Sequence, residues 1–415
     1  MTDRAVRAQP PGPIAEDAPS ASPGAPAAAC ASPQLTLRWI EKPAELQGLE
    51  AAWRHLETSG GYRATVFQTY DWVQTWVTHY VDAHPTRFWS PGAKCLSVLA
   101  VYQKDRLVSL WPFAQKCGRT AARIEWLGEP VSQYGDALIN AGVDAEQHAR
   151  DVLTQVERSG RADLLTLRKV RADSPVHAAL VGLGARRTAS DAAPALKLSS
   201  DPEQVFASLP ARHRKNRRRQ RRRLEEIGLV EFDPVMPGKQ TADLLALALR
   251  WKRAWLRRRN TVSLAFANRR VDRFFADAVR ATHAHGFAAP VFVLRLNRTP
   301  IAINIPILHH GRMLLHITAY DPAFERVGPG GLLFEESIAW ACANGFHTFD
   351  LMSPADAYKA CWASEATDLC DFSFGVTWRG RIWQRAYFEG LRPVGKRLAT
   401  GAPRVVAPVA RMLNF

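Results

Sequence analysis

Apolar and polar positions along this chain run through two rounds of one pattern. The first round opens at Leu35-Thr36-Leu37-Arg38-Trp39-Ile40, where strict alternation predicts a half-buried strand. Helical spacing follows over residues 44–56 and 70–80. Residues 96–102 and 106–114 predict two strands, joined as a hairpin at Gln103-Lys104-Asp105. Short strands are expected at 124–127 and 137–140, a helix at 144–158, a strand at 164–170, a helix at 176–183 and a closing strand at 195–198.

The second round repeats that order. Residues 242–256 are amphipathic, with Leu244, Leu247, Trp251 and Trp255 on one face. A helix over 271–284 carries Phe274, Phe275, Ala278 and Val279 on its apolar stripe. Three strands follow at 291–296, 301–308 and 313–320, the second and third meeting at His309-His310-Gly311. After Tyr320-Asp321-Pro322, the turn Gly328-Pro329-Gly330-Gly331 opens a helix running to Asn344. Gly345 stops that helix, and 346–351 reads as a strand. Residues 368–378 and 381–388 predict a last hairpin turning at Arg379-Gly380. The fold class expected is α/β (α+β), as two tandem lobes over 35–200 and 201–390. Each lobe would be a mixed, mostly antiparallel sheet flanked by helices. Residues 1–34, rich in Ala, Pro and Ser, and residues 391–415 are expected to be tails.

Composition narrows the function. The 415 residues carry a formal net charge of +16, which favours anionic partners. Residues 211–223 hold nine Arg or Lys and no acid, and the run from Arg212 to Arg223 shows no apolar face. It is therefore the candidate site for an anionic partner: a cofactor phosphate, a glycan, a membrane surface or tRNA. Nucleic-acid modules interleave basic residues with aromatics for stacking, and none occur in this run. Six cysteines without a Cys-x-x-Cys pair, and no His at zinc spacing from them, predict free thiols and no metal. No apolar run is long enough to span a bilayer, and the amino-terminal stretch lacks a signal-peptide core, so a cytoplasmic location is expected. Seven of the thirteen tryptophans fall between Trp39 and Trp126, where core packing is their commoner use.

The candidate chemistry sits in the second round. Glycine at a helix entrance lets the backbone approach a ligand, and the N–H groups there attract phosphate. In the first round the corresponding helix begins with Asp144 and Glu146, carboxylates that would repel pyrophosphate. A phosphate-bearing cofactor is therefore assigned to Gly328, Gly330 and Gly331, with Arg326 beside them. The absence of Gly-x-Ser-x-Gly argues against a nucleophile triad. His316, in the third strand, is a base candidate that period-two alternation puts on one face with Thr318 and Tyr320.

The order from residue 290 to 362 resembles the second half of a GNAT acyltransferase. It is closest to the CelD/BcsL type associated with cellulose and exopolysaccharide synthesis. The residues carrying the resemblance are Tyr320-Asp321-Pro322, Pro329-Gly330, Leu333, Phe349-Asp350-Leu351 and Tyr358-Lys359…Trp362. Upstream they are Phe67…Trp72…Trp76, Leu127-Gly128, Tyr134…Asp136 and the basic run. One departure is Ser353-Pro354, where that type carries a glycine-rich turn. The paired lobes also resemble FemAB-type peptidyltransferases.

The resemblance implies acetyl-CoA or another acyl-CoA as co-substrate. Its pantetheine would run along Thr318, Ala319 and Tyr320, with Lys359 near a phosphate or the oxyanion. It implies Tyr358 as the acid for the leaving thiolate and Asp350, His316 or Asp321 as the base. The acceptor would be a sugar or polysaccharide precursor, contacted by Tyr134 and Asp136 in a polar loop of the first lobe. Two other readings stay open: a transferase using aminoacyl-tRNA, and a non-catalytic CoA-binding accessory of polysaccharide synthesis.

Overall fold

The computed structural model describes residues 34–59, 65–81, 94–117, 121–261, 263–281 and 286–391. Both expected tails, 1–34 and 391–415, lie almost wholly outside them. The strands are β1 Leu35–Ile40, β2 Lys94–Leu96, β3 Val98–Gln103, β4 Arg106–Trp111, β5 Phe113–Cys117, β6 Ala122–Trp126, β7 Leu138–Ile139 and β8 Leu164–Arg171. They continue with β9 Arg186–Lys197, β10 Val230–Val235, β11 Val291–Leu296, β12 Thr299–His309, β13 Arg312–Tyr320, β14 Thr348–Asp350 and β15 Glu365–Gly375.

Four strands form a small sheet in the order β1-β3-β4-β7. The other eleven form one sheet, β10-β11-β12-β13-β14-β9-β15-β8-β6-β5-β2. The expected strand over 106–114 breaks at Pro112 and serves both sheets. Proline cannot donate to a ladder, so the chain changes sheets there.

The repeat seen in the sequence is visible in the pairing. β6 and β8 are parallel around the helix Ala145–Arg158. β13 and β14 are parallel around the helix Pro329–Ala343. All other neighbours in the large sheet run antiparallel. The closing strands are exchanged between the rounds. β9, from the first, lies against β14, and β15, from the second, lies between β9 and β8.

The expected hairpin over 368–388 is corrected. β15 has partners on both edges, so no third strand can join it. The chain instead forms a helix, Trp378–Arg385, capped by the Thr377 hydroxyl, which accepts from Gly380 N. The helix expected at 242–256 spans Thr241–Arg258 and buries Leu245, Ala248, Leu249 and Trp251, an offset stripe. Strands β2 and β10 and the helix Pro202–Ala207 were not foreseen. Among the described residues no helix is long and apolar enough to cross a membrane.

Candidate active site

The site begins where β13 and β14 part. They pair from Arg312↔Thr348 to Leu314↔Asp350 and no further, while β13 continues to Tyr320. At this point the β12–β13 ladder slips: Ile305 faces Ile317, but Pro306 faces Leu315. Pro306 offers no N–H, and His316 becomes the extra residue of a bulge. The bulge corrects the expected face of His316. Its ring meets Phe275, Trp72 and Phe67 at centroid distances of 4.8, 5.9 and 6.4 Å. Thr318 and Tyr320 instead lie opposite Asn304 and Ala302, and Asn304 Nδ2 donates to Ser337 on the Pro329–Ala343 helix. Ala319 is buried on the aromatic side, beside Ile317.

His316 Nε2 lies 2.7 Å from the Val131 carbonyl, which fixes the proton on Nε2. Nδ1 therefore carries a lone pair, buried and without a partner. Burial, helped by Lys169 and Lys252 and opposed by the Val131 carbonyl, pushes the ring down to about 4. Those lysines are themselves pushed down, each chiefly by burial.

Asp350 ends β14 and is buried. The Tyr134 hydroxyl donates to its Oδ1 at 2.7 Å and Met352 N donates to the same oxygen at 2.9 Å. Burial raises its carboxyl above the usual range, against the pull of these bonds and of Arg171 and Arg312. Met352 adopts φ 56° and Ser353-Pro354, the departure noted in the sequence, is cis. Lys359 Nζ donates to the Met352 carbonyl at 2.9 Å, its pKa pushed down to about 8 by burial. Tyr358 is half exposed at the edge of Phe334. Burial of its inner part, then Asp356, pushes its hydroxyl up to about 12.

The glycine entrance forms a separate wall. Asp321 caps the short turn Pro322–Val327 by accepting from Ala323 N, and Arg326 stands exposed on it. The Tyr320 hydroxyl donates to Glu325 in the same turn. Gly328 is left-handed at φ 69° and opens the helix Pro329–Ala343. A Cβ there would meet Gln220 Nε2 at 2.6 Å, one on Gly331 would meet Gln220 Oε1 at 3.1 Å, and one on Gly330 only Tyr320 at 3.8 Å. Gln220 therefore lies over the entrance, where Gly328 N donates to the Phe324 carbonyl and Gly331 N to the Gly328 carbonyl.

Gln220 belongs to the basic helix, Ala211–Glu225, which packs in part against the Pro329–Ala343 helix. Arg217 is buried, donates to the Gly331 carbonyl, pairs with Glu335 and stands 4.4 Å over the Trp362 ring. Arg221 pairs with Glu335 and Glu336. Arg212, Lys215, Arg218, Arg219, Arg222 and Arg223 remain exposed. In the first round, Asp144 caps its helix by accepting from Gln147 N, so that entrance is already occupied by a carboxylate.

Tyr134 and Asp136, expected in an open polar loop, are both buried. Asp136 Oδ1 accepts from Ser174 Oγ and from Ala137 N, Oδ2 has no partner, and burial pushes the carboxyl up to about 7. It therefore stays protonated in the fold up to about pH 7, while the unfolded chain ionises near 4. Its stabilising contribution is complete below pH 4 and is lost as pH rises to 7. Asp136→Asn keeps the acceptor without the charge. It should raise stability by about 2 kcal/mol or more at pH 8 and change little at pH 4, read from urea midpoints.

Sequence reasoning did not single out Arg217 or Gln220 within the basic run, and it missed Lys252 and Lys169. Pro306 inside an otherwise continuous apolar strand was the available signal for the bulge.

Residues 211–360, from the basic helix through the turn carrying Tyr358, match the acetyltransferase (GNAT) domain family. No curated protein matches the chain in sequence. In fold the chain is similar to the crystal structure of FemX, with a TM-score of 0.55 and 10% identity, covering 84% of this chain and 99% of that one. It is also similar to a tandem GNAT protein from the clavulanic acid biosynthesis pathway, with a TM-score of 0.48 and 14% identity, covering 83% and 99%. The fold class read from the sequence, α/β with two tandem GNAT-like lobes, is the one observed.

Proposed function

We propose, on the premise of the GNAT match, that the chain is an acyl-CoA-dependent acyltransferase whose site is the gap between β13 and β14. The observation carrying this is the pairing of that gap with the left-handed Gly328 entrance at one end of it. The pyrophosphate of acetyl-CoA or another acyl-CoA would bind the Gly328–Gly331 backbone, with Arg326 and the basic helix supplying positive charge. Pantetheine would lie along Thr318, Ala319 and Tyr320, which have no β14 residue opposite them.

The reaction is direct transfer. The acceptor amine or hydroxyl attacks the thioester carbonyl, the carbon–sulfur bond breaks, and the thiolate leaves with a proton. Tyr358, whose hydroxyl is protonated at neutral pH, is the candidate for giving that proton. His316 Nδ1 is the base candidate with an unclaimed lone pair. Asp350 is engaged by Tyr134 and Asp321 by its cap, so both are assigned to positioning. Lys359, hydrogen-bonded to Met352, would hold the turn that shapes the gap. The acceptor class, a sugar or polysaccharide precursor, rests on the resemblance of the sequence. Tyr134 and Asp136 would shape the acceptor wall from behind.

Calorimetric titration with acetyl-CoA tests the reading, and micromolar binding is the expected result. Tyr358→Phe should leave that binding intact and lower turnover about a hundredfold. Turnover unaffected by the change would remove Tyr358 from the mechanism. The exposed arginines beside the entrance favour one second reading, transfer from an aminoacyl-tRNA. It requires tRNA binding that weakens steeply with salt.

A further inference from the structure

The helix Trp378–Arg385 is built inside out. Its inner face is Gly380, fully covered, where an added Cβ would sit 1.7 Å from the Asp163 carbonyl. Successive helical residues turn by about 100°, so Trp378 and Ile382 both point roughly 160° to 200° away from Gly380. Trp378 is 70% exposed and Ile382 60% exposed, the first being the most exposed large apolar side chain described. Arg385 shares that outward face and Arg379 and Arg381 flank it, all exposed. The helix carries no acid; Arg381 donates to the Gly375 carbonyl and lies 3.8 Å from Glu157, and Asp163 accepts from the Thr377 hydroxyl beneath the helix start. Beside it, β9 begins with Arg186 and Arg187, paired to Ser373 and Phe372 of β15.

Burying small and exposing large is the reverse of a core-facing helix. The cap at Thr377 and the close seat of Gly380 hold this arrangement rigid. An indole and an isoleucine bracketed by arginines match the boundary of a bilayer with anionic headgroups, where the ring enters and the guanidinium groups meet phosphate. A second copy of this chain would bring arginine against arginine, which disfavours self-association through this face.

We infer that this helix docks the protein on an anionic lipid surface, independently of the transfer site.

The test is flotation of the full chain with phosphatidylcholine vesicles, with and without phosphatidylglycerol. Wild-type protein should float only with the phosphatidylglycerol vesicles. Trp378→Ser with Ile382→Ser should weaken that partition at least about tenfold while leaving the unfolding temperature unchanged, because both side chains face solvent. Arg385→Gln should flatten the salt dependence. Three results would overturn the inference: no flotation with phosphatidylglycerol, flotation undiminished in the double variant, or equal flotation with phosphatidylcholine alone. Binding of polyglutamate lost in the double variant, without vesicle binding, would likewise overturn it and assign the face to an acidic protein.

Discussion

Acetyl-CoA titrated into a Gly330→Glu variant should give no measurable binding, a loss of about a hundredfold or more. The proposed pyrophosphate would meet a carboxylate at the place where backbone N–H groups otherwise receive it. The fold should not suffer. A Cβ at this position has Tyr320 at ordinary contact distance and nothing closer, and the φ of Gly330 is not left-handed. A carboxylate in the first turn of a helix also favours the helix itself. Gly330→Ala separates charge from bulk, and its affinity should stay within a few-fold of wild type. Gly328→Ala should behave differently, because φ 69° strains any other residue and Gln220 stands 2.6 Å from the new atom. Wild-type affinity in the Gly330→Glu protein would mean that the entrance is an ordinary helix start.

Acidification between pH 6.5 and 4 should draw a stability cost from His316 and from His309. Both rings are held near 4 by burial, His316 against Val131 and His309 with Nδ1 on the Gly286 carbonyl. Above pH 6.5 both are neutral, folded or unfolded, and contribute no slope. Below it the unfolded chain takes up protons that the buried rings refuse, so each costs up to about 3 kcal/mol by pH 4. Asp136 and Glu57, both raised to about 7 by burial, act in the opposite sense over the same window. The difference between wild type and His316→Gln therefore isolates one ring. That difference should shrink or change sign by about 2 to 3 kcal/mol between pH 7 and pH 4. A difference independent of pH would show that His316 is not held neutral.

The succession of elements was legible because each carries its own period and punctuation. Apolar runs broken by Asn297 and Gly311, and a helix opened by Gly328 and closed by Gly345, state their boundaries locally. Register is not local. A one-residue slip at Pro306 turned His316 toward aromatic rings contributed by residues 67, 72 and 275, and alternation alone placed it on the wrong face. Arg217 was likewise read as one more exposed cation, because only the packed helices show that Glu335 and Trp362 wait for it. The alternating residues after Gly375 looked like a strand, but a strand exists only with a neighbour, and β15 had none left to offer. β10 was overlooked because Asp233 and Pro234 spoil its pattern, which an edge position tolerates.

The exchange of β9 and β15 has a consequence for how the molecule is made. The first round leaves the ribosome with β8 and β9 complete but with no strand to lie between them. Their facing edges stay bare until residue 375 has been synthesised. A nascent chain of two-thirds length, which holds β8 and β9 but not β15, is thus a sticky object. Splitting the gene near residue 200 would yield two polypeptides that each lack the strand the other carries, and they should be soluble only when produced together.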